Sequence, residues 1–193
     1  MATFVLSFGV IFVAELGDKS QLMAMAFATR FPAWRVLVGI TVATAVTHAL
    51  SVAVGALVAE HLPTRAITVV AGLAFLAFAA WTWRGDDLDD EDEAAAARAG
   101  RRGAVAATAA IGATFFLAEL GDKTMLATIT LATTHGAVGT WAGSTVGMVA
   151  ADALAIGVGR QLGARLPDRA IRIGATVAFV VFGLVLVAGG IAG

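Results

Sequence analysis

Long apolar stretches separated by short polar connections dominate the pattern of this chain. Each stretch holds about 20 or more residues, mainly Ala, Val, Leu, Ile, Phe, Gly and Thr. About 20 such residues in a helix cross the ~30 Å hydrocarbon core of a bilayer. The pattern therefore predicts an all-α integral membrane protein with six transmembrane helices, in the blocks 2–29, 34–59, 64–83, 104–134, 137–159 and 173–192.

Composition agrees with a membrane protein. Charged residues make up 14% of the chain and hydrophobic residues 59%, whereas a soluble domain carries roughly 25% charged residues. The first block continues through a Glu-Asp-Lys cluster and has no basic flank before it, so we do not expect a cleavable signal peptide. The chain has no cysteine, which excludes disulfides, Cys-ligated zinc and thiol redox chemistry.

The sequence contains an internal repeat. A shift of 104 positions places ELGDK at 15–19 on ELGDK at 119–123, and RAI at 65–67 on RAI at 169–171. Each repeat holds three predicted helices. Because three is odd, the second copy enters the membrane from the opposite side, as in the inverted repeats of many secondary transporters. A parallel duplicated bundle would need an even number. The predicted division is a first three-helix repeat, an acidic linker and a second three-helix repeat, at 1–84, 85–103 and 104–193.

Arginines indicate the orientation in the membrane. Ten of the eleven lie in the connections 1–2, 3–4 and 5–6, and Arg65 lies on the opposite face. Connections rich in Lys and Arg stay in the cytoplasm, so we expect both termini outside and the 85–103 linker inside. Seven of the eight residues from Asp86 to Glu93 are acids, which predicts a solvated tether, with a weak cation attractor as the alternative.

The two ELGDK motifs place charges deep inside predicted membrane helices. On a helix, Glu15 and Asp18 lie on one face at i and i+3, with Lys19 beside them. Each charge costs about 2.5–3.5 kcal/mol at the bilayer centre, so these side chains must face the protein interior or a water-filled cavity. The fourth predicted helix repeats the arrangement with Glu119, Asp122 and Lys123.

The balance of these charges indicates a chemistry. Four acids against two lysines leave a charge of −2, which needs either a divalent cation or two protons. A site that holds one or the other is the physical basis of cation/proton exchange. The structural alternative is that Glu15 pairs with Lys19 and Glu119 with Lys123 to hold the bundle together. These pairs account for half of the acids.

Neutral oxygen atoms lie close to the acids. Gly17 and Gly121 permit local unwinding that would free backbone carbonyls as ligands. Ser20, Gln21 and Thr124 add hydroxyl and amide oxygens. Oxygen ligands suit Ca²⁺, Mn²⁺ or Mg²⁺, whereas zinc or copper would favour His or Cys.

Two further polar residues, His48 and Asp152, lie deep in the second and fifth blocks and are related by the same shift of 104. His48 is either a packing residue or a proton relay. Asp152 is a candidate fifth acid, and titration of either residue would change the number of protons exchanged.

The doubled motif, the three-plus-three arrangement and the acidic central loop resemble the Gdt-type cation/proton antiporter family. This family comprises the Golgi manganese and calcium transporters of eukaryotes, and its bacterial members look like manganese exporters. The resemblance covers essentially the whole chain and implies exchange of Mn²⁺ or Ca²⁺ for protons. In a bacterial inner membrane, the inward proton gradient would drive metal export. By position, the resemblance implies metal binding by Glu15, Asp18, Glu119 and Asp122, with Lys19, Ser20, Lys123 and Thr124 as motif companions.

Two other classes of protein remain open from the sequence. A small-solute exporter of the lysine-exporter type shares a six-helix plan but would not require four clustered acids, and a gated cation channel would have a flux independent of the proton gradient. We do not expect an enzyme, because no nucleophile–base pair or cofactor motif appears. The expected partners are the transported metal ion, protons and the lipid bilayer, with no cofactor and no nucleic acid. The oligomeric state stays open.

Overall fold

A computed structural model of the chain describes residues 1–61, 63–84, 103–162 and 168–192. Every regular element within these ranges is an α-helix, which confirms the all-α prediction. The linker predicted at 85–103 lies outside the described residues except for Gly103. The eight helices found there are α1 Ala2–Glu15, α2 Lys19–Ala28, α3 Ala33–His61, α4 Thr64–Arg84, α5 Ala104–Glu119, α6 Lys123–His135, α7 Ala137–Leu162 and α8 Asp168–Ala192.

All six predicted apolar blocks are helical, but two of them are broken. In the part of the chain that the structure describes, α3, α4, α7 and α8 are long and apolar enough to cross a membrane. The α5–α6 pair is bent by 70° and makes a fifth span if it is counted as one. Helix α1 is apolar but has 14 residues, and α2 follows it after a break. Six continuous membrane helices are therefore not confirmed.

Prolines mark where α3 and α4 begin. Pro32 and Pro63 directly precede the first helical residues, and their carbonyls accept hydrogen bonds from the amides of Val36 (3.4 Å) and Ile67 (3.1 Å). Proline has no amide proton and a fixed φ, so it fits the start of a helix and is costly in its interior. These two residues therefore set the helix starts.

Glycines let α1 pack closely along α7. A Cβ added to Gly139 would lie 2.9 Å from Thr3 Cβ, and one added to Gly147 would lie 2.6 Å from the Phe8 carbonyl oxygen. The contact advances along both helices together, so α1 and α7 run in the same direction. Gly139, Gly143 and Gly147, spaced four apart, therefore form a close-packing face of α7.

The same relation holds between α3 and the α5–α6 pair. A Cβ on Gly39 would lie 3.1 Å from the Gly112 amide in α5, and one on Gly55 would lie 2.6 Å from the Ile129 carbonyl oxygen in α6. These contacts also advance together, so α3 runs in the same overall direction as the α5–α6 pair.

Helices α4 and α8 pack against each other in opposite directions. A Cβ on Gly72 would lie 2.7 Å from the Gly183 carbonyl oxygen, and one on Gly190 would lie 3.4 Å from that of Arg65. The contact therefore moves backwards along α4 as it moves forwards along α8.

The short helices α1, α2, α5 and α6, called the half-helices below, pair crosswise. Helix α1 contacts α6, and α2 contacts α5. The apolar core follows this pairing. Residues of α2 and α5 share one buried cluster, in which the Phe27 and Phe115 rings are 6.1 Å apart. Residues of α1 and α6 share a second cluster around Phe75. This crossing brings the two helix breaks to the same region of the molecule.

Candidate metal site

Each ELGDK motif forms a break between two half-helices. Helix α1 ends at Glu15 and α5 ends at Glu119. The leucine that follows is extended in both motifs, and the glycine after it adopts a left-handed conformation, with φ 75° at Gly17 and 83° at Gly121. Glycine populates this region without steric cost. The local unwinding expected at these glycines is confirmed.

The helical spacing predicted for the motif is wrong. Glu15 and Asp18 are not at i and i+3 on one helix face, because α1 ends at Glu15 and α2 begins at Lys19. Aspartate stands at the N-cap of both second half-helices, and Asp122 Oδ2 accepts a hydrogen bond from the Thr124 amide at 3.4 Å. An N-cap carboxylate satisfies an amide that the helix leaves without a partner. The motif therefore contains the end of one helix, a turn and the start of the next helix.

A side chain four residues after each glycine also holds the break. The Gly17 amide donates to Gln21 Oε1 at 2.9 Å, and the Gly121 amide donates to Met125 Sδ at 3.2 Å. Gln21 and Met125 are related by the shift of 104, so two different side chains accept the hydrogen bond of the glycine amide at the related positions. The role of Met125 was not predicted from the sequence, although its spacing of four residues from the glycine was the available signal.

Most of the motif acids are withdrawn from solvent. Glu15 is 0% exposed, Glu119 2% and Asp18 3%, while Asp122 is half-buried. Glu119 Oε2 accepts a hydrogen bond from Thr124 Oγ1 at 2.8 Å. Both carboxylate oxygens of Glu15 lack a hydrogen-bond partner among the described residues. A buried carboxylate in this position is costly unless a cation or proton joins it.

An ion pair links the two repeats. Lys123, at the start of α6, donates to Asp18 Oδ1, and both side chains are buried. Ser20 Oγ donates to the other carboxylate oxygen of Asp18 at 3.3 Å. The structural alternative expected Lys123 to pair with Glu119 in its own motif. The pairing across the repeats follows from the break, which removes the i, i+4 relation between Glu119 and Lys123.

Acids from both motifs line one small cavity, called the acid cavity below. Its volume is about 30 Å³, enough for a single water molecule or a bare ion. Glu15 lies beside the acids of the cavity, within electrostatic range of Glu119 and Asp18. Among the described residues, no three His, Asp or Glu side chains are already arranged as metal ligands. The cavity is lined by Asp18, Lys19, Ser20, Ala118, Glu119 and Asp122.

The two deep polar residues differ in their relation to this cavity. Asp152 is 0% exposed and lies within electrostatic range of Asp18 and Glu15. The neighbouring Ala151 carbonyl accepts a hydrogen bond from Gln21 Nε2 at 3.0 Å. His48 is also fully buried, and neither it nor Asp152 has a side-chain hydrogen-bond partner within the described ranges. His48 does not line the acid cavity.

Apolar helices that break at buried carboxylates and bring them to a common cavity are typical of membrane ion-transport proteins. Sequence comparison gives the family. The family described as "Divalent cation/proton antiporter GDT1" matches residues 3–90 and again residues 106–193. This chain belongs to that family of membrane transporters.

Curated relatives agree with this assignment. The chain is 30% identical over 175 residues to a putative manganese exporter of Vibrio cholerae, covering 89% of this chain and 84% of the relative. It is 30% identical over 190 residues to a GDT1-like protein of Synechocystis, covering 91% and 92%. A segment of 72 residues is 38% identical to the divalent cation/proton antiporter GDT1 of Saccharomyces cerevisiae, covering 37% of this chain and 26% of that protein. No solved structure gives a significant match.

Proposed function

We propose that this protein exchanges a divalent cation for protons at one site shared by the acids of both motifs, and that Mn²⁺ is favoured over Ca²⁺ as this cation. The observation that carries the proposal is the convergence of Asp18, Glu119 and Asp122 on the acid cavity, with Glu15 beside it. Because the breaks cross at this point, a bound ion contacts both repeats at once. Such an ion links its own occupancy to the packing of the half-helices.

The charge balance supports exchange rather than simple binding. Four carboxylates and two ammonium groups leave two negative charges in the motifs. Each charge at the bilayer centre costs about 2.5–3.5 kcal/mol. The site therefore takes either a divalent cation or two protons. Competition of metal and protons for the same oxygens couples the two fluxes in strict alternation.

Asp18 binds either of two cations, the Lys123 ammonium group or the transported metal ion. The Lys123 ammonium group contacts Asp18 from the opposite repeat. A metal ion that uses Asp18 as a ligand displaces this ammonium group, and Lys123 returns when the ion leaves. The lysine thus limits the negative charge of the site while protons are bound.

The ligand chemistry and the relatives support manganese as the cargo. Carboxylate and hydroxyl oxygens of Asp18, Ser20, Glu119 and Thr124 are hard donors that suit Mn²⁺ and Ca²⁺. The Vibrio cholerae relative is named a putative manganese exporter, and the yeast relative a divalent cation/proton antiporter. With protons flowing inwards across a bacterial plasma membrane, the exchange moves the metal out of the cytoplasm.

We propose that each broken pair forms one span, which gives six spans in two inverted repeats, 1–84 and 104–193. In a chain of six alternating spans, the first and fifth run in the same direction, as do the second and fourth, while the third and sixth are opposed. The directions of α1 and α7, of α3 and α5, and of α4 and α8 support this order. The arginine distribution then favours termini outside and the 85–103 linker in the cytoplasm.

Neutralising the acids one at a time tests the shared site. Purified protein in vesicles with a pH gradient takes up Mn²⁺, measured by an internal dye. We expect Glu119→Gln, Asp18→Asn and Glu15→Gln each to slow uptake by at least about 100-fold, since removing one charged partner of a buried ion costs ~3–5 kcal/mol. The exposed Glu60→Gln serves as the control and keeps the wild-type rate. Near wild-type uptake in all three variants, with thermal unfolding unchanged, contradicts the proposal.

A further inference from the structure

The two interfaces that the repeat relates to each other differ in polarity. In the α1–α7 interface, a Cβ on Gly143 would lie 3.0 Å from Ser7 Cβ. In the related α3–α5 interface, a Cβ on Gly39 would lie 3.0 Å from Ile111 Cγ2. The shift of 104 relates Gly39 to Gly143 and Ser7 to Ile111. The same position therefore carries a hydroxyl in one interface and an aliphatic side chain in the other.

The partner helices show the same difference. Thr140 and Ser144 of α7 correspond to Val36 and Ile40 of α3. All four side chains are 0% exposed, so none of the hydroxyls is explained by contact with solvent. At these related positions, the α1–α7 interface carries hydroxyls on both helices and the α3–α5 interface carries aliphatic side chains on both.

Two of these three hydroxyls, those of Ser7 and Thr140, do not hydrogen-bond to their own helices. Hydroxyls in membrane helices commonly donate to the carbonyl four residues earlier, as Ser51 does to Thr47 at 2.9 Å in α3. Ser7 Oγ and Thr140 Oγ1 have no hydrogen-bond partner in the described part of the chain. Ser144 Oγ donates to the Trp141 carbonyl at 3.2 Å. Two buried oxygens therefore remain able to accept a ligand.

These hydroxyls are in line with the acids. One turn beyond Ser7 on α1 lies Ile11, and a further turn leads to Glu15. The rise of 1.5 Å per residue puts Ser7 about 12 Å from Glu15 along the helix. On α7, Met148 lies one turn beyond Ser144 and Asp152 two turns beyond. Ile11 and Met148 are both 0% exposed and belong to one apolar cluster. They lie between the hydroxyls and the acids.

We propose that the α1–α7 interface, which glycine packing closes in this structure, opens to form the route by which the divalent cation passes between the acid cavity and the membrane face where these two helices begin. Ser7 and Thr140 form a transit site of neutral oxygens. Ile11 and Met148 form a closed gate between this transit site and the acid cavity. This inference rests on the proposed cation exchange. Neutral oxygens suit a transit site, because conduction needs binding that is favourable enough to enter and weak enough to leave. At the related positions, Val36, Ile40 and Ile111 of the α3–α5 interface offer a cation no oxygen.

Accessibility of introduced cysteines tests the route independently of transport. The natural chain has no cysteine, so Ser7→Cys and its repeat-related control Ile111→Cys each carry a single thiol. A small cationic thiol reagent is applied to both faces of vesicles that contain the protein. We expect the Ser7→Cys thiol to react at least about 10-fold faster than the control, equivalent to ~1.4 kcal/mol, and Mn²⁺ to slow this reaction. Equal rates, or an unreactive Ser7→Cys protein, overturn the route even if the protein exchanges metal for protons.

A second pair of variants tests the transit site through its rate. Thr140→Val keeps the side-chain shape and installs the residue found at the related position 36. Its control is Thr82→Val in α4, which removes another buried hydroxyl that has no partner among the described residues. We expect Thr140→Val to lower the Mn²⁺ flux about 10-fold with equilibrium Mn²⁺ affinity unchanged, and Thr82→Val to leave both unchanged. Equal fluxes in the two variants overturn the transit site.

Discussion

Replacing Lys123 with Met removes a buried positive partner of Asp18 and leaves a carboxylate that is 3% exposed. Breaking a buried ion pair on one side costs about 3–5 kcal/mol. The carboxylate can avoid part of this cost by taking up a proton. Protonating an ordinary aspartate costs about 4 kcal/mol at pH 7 and about 2 kcal/mol at pH 5.5. The loss of stability in Lys123→Met is therefore about 3–4 kcal/mol at pH 7 and about 2 kcal/mol at pH 5.5.

The sign of this pH dependence follows from proton binding. The folded variant holds a proton on Asp18 that the unfolded chain at neutral pH does not, so stability falls as the pH rises. At about 2–4 °C per kcal/mol for a chain of this size, the thermal midpoint falls by ~6–16 °C at pH 7 and by ~4–8 °C at pH 5.5. Thermal unfolding of the detergent-solubilised protein measures both values.

Two further variants serve as controls for Lys123→Met. Lys19→Met changes the repeat-related lysine, which is half-buried, and we expect a shift less than half as large. Adding Asp18→Asn to Lys123→Met removes the buried charge and recovers most of the lost stability. Additive losses in the double variant, or a Lys123→Met midpoint that does not depend on pH, would refute the assignment of a buried pair across the repeats.

Two further predictions concern the helix breaks. A Cβ on Gly121 meets no atom within 4 Å, so Gly121→Ala lowers stability only through the strain of an alanine at φ 83°, about 1–2 kcal/mol. The control Gly157→Ala, in the helical part of α7, loses no stability. Equal thermal midpoints in the two variants contradict this. In Gln21→Met, the sulfur still accepts from the Gly17 amide but the bond to the Ala151 carbonyl is lost, about 0.5–1.5 kcal/mol, and Gln21→Leu loses both bonds, about 1–3 kcal/mol. Equal losses in the two Gln21 variants contradict the role inferred for this side chain.

Helix content and the repeat could be predicted because the apolar blocks and the self-similarity at a shift of 104 are visible in the sequence itself. Long apolar blocks must be helical in a bilayer, where every backbone polar group needs an internal partner. The approach of the two motifs could also be expected, since charges such as Glu15 and Glu119 cannot face lipid.

The helix breaks could be anticipated only in part. Glycine is compatible with both a helix interior and a left-handed turn, so Gly17 and Gly121 permitted either geometry. The aspartate that follows each glycine is a good N-cap residue and was the sequence signal for a new helix start. Its i, i+3 spacing from the glutamate favoured the continuous helix instead, and this interpretation was wrong.

The ion pair across the repeats could not be read from the motif. Both copies have the same five letters, yet Lys123 is buried and pairs with Asp18, while Lys19 is half-buried and lines the acid cavity. Identical local sequences acquire different surroundings because the helices that pack on them differ, as the aliphatic and hydroxylated interfaces show. Tertiary packing decides which lysine is withdrawn from solvent.

Proton movement driven by a metal gradient tests the shared site most directly. Vesicles containing the protein are loaded with Mn²⁺ at uniform pH, the membrane potential is held at zero, and an internal dye reports the luminal pH. Exchange at one site predicts that Mn²⁺ efflux acidifies the lumen by about two protons per ion, as the charge balance of the motifs requires, and that Glu15→Gln removes both fluxes together. Mn²⁺ efflux without acidification, in a protein whose flux responds to voltage alone, would contradict the account and identify a channel.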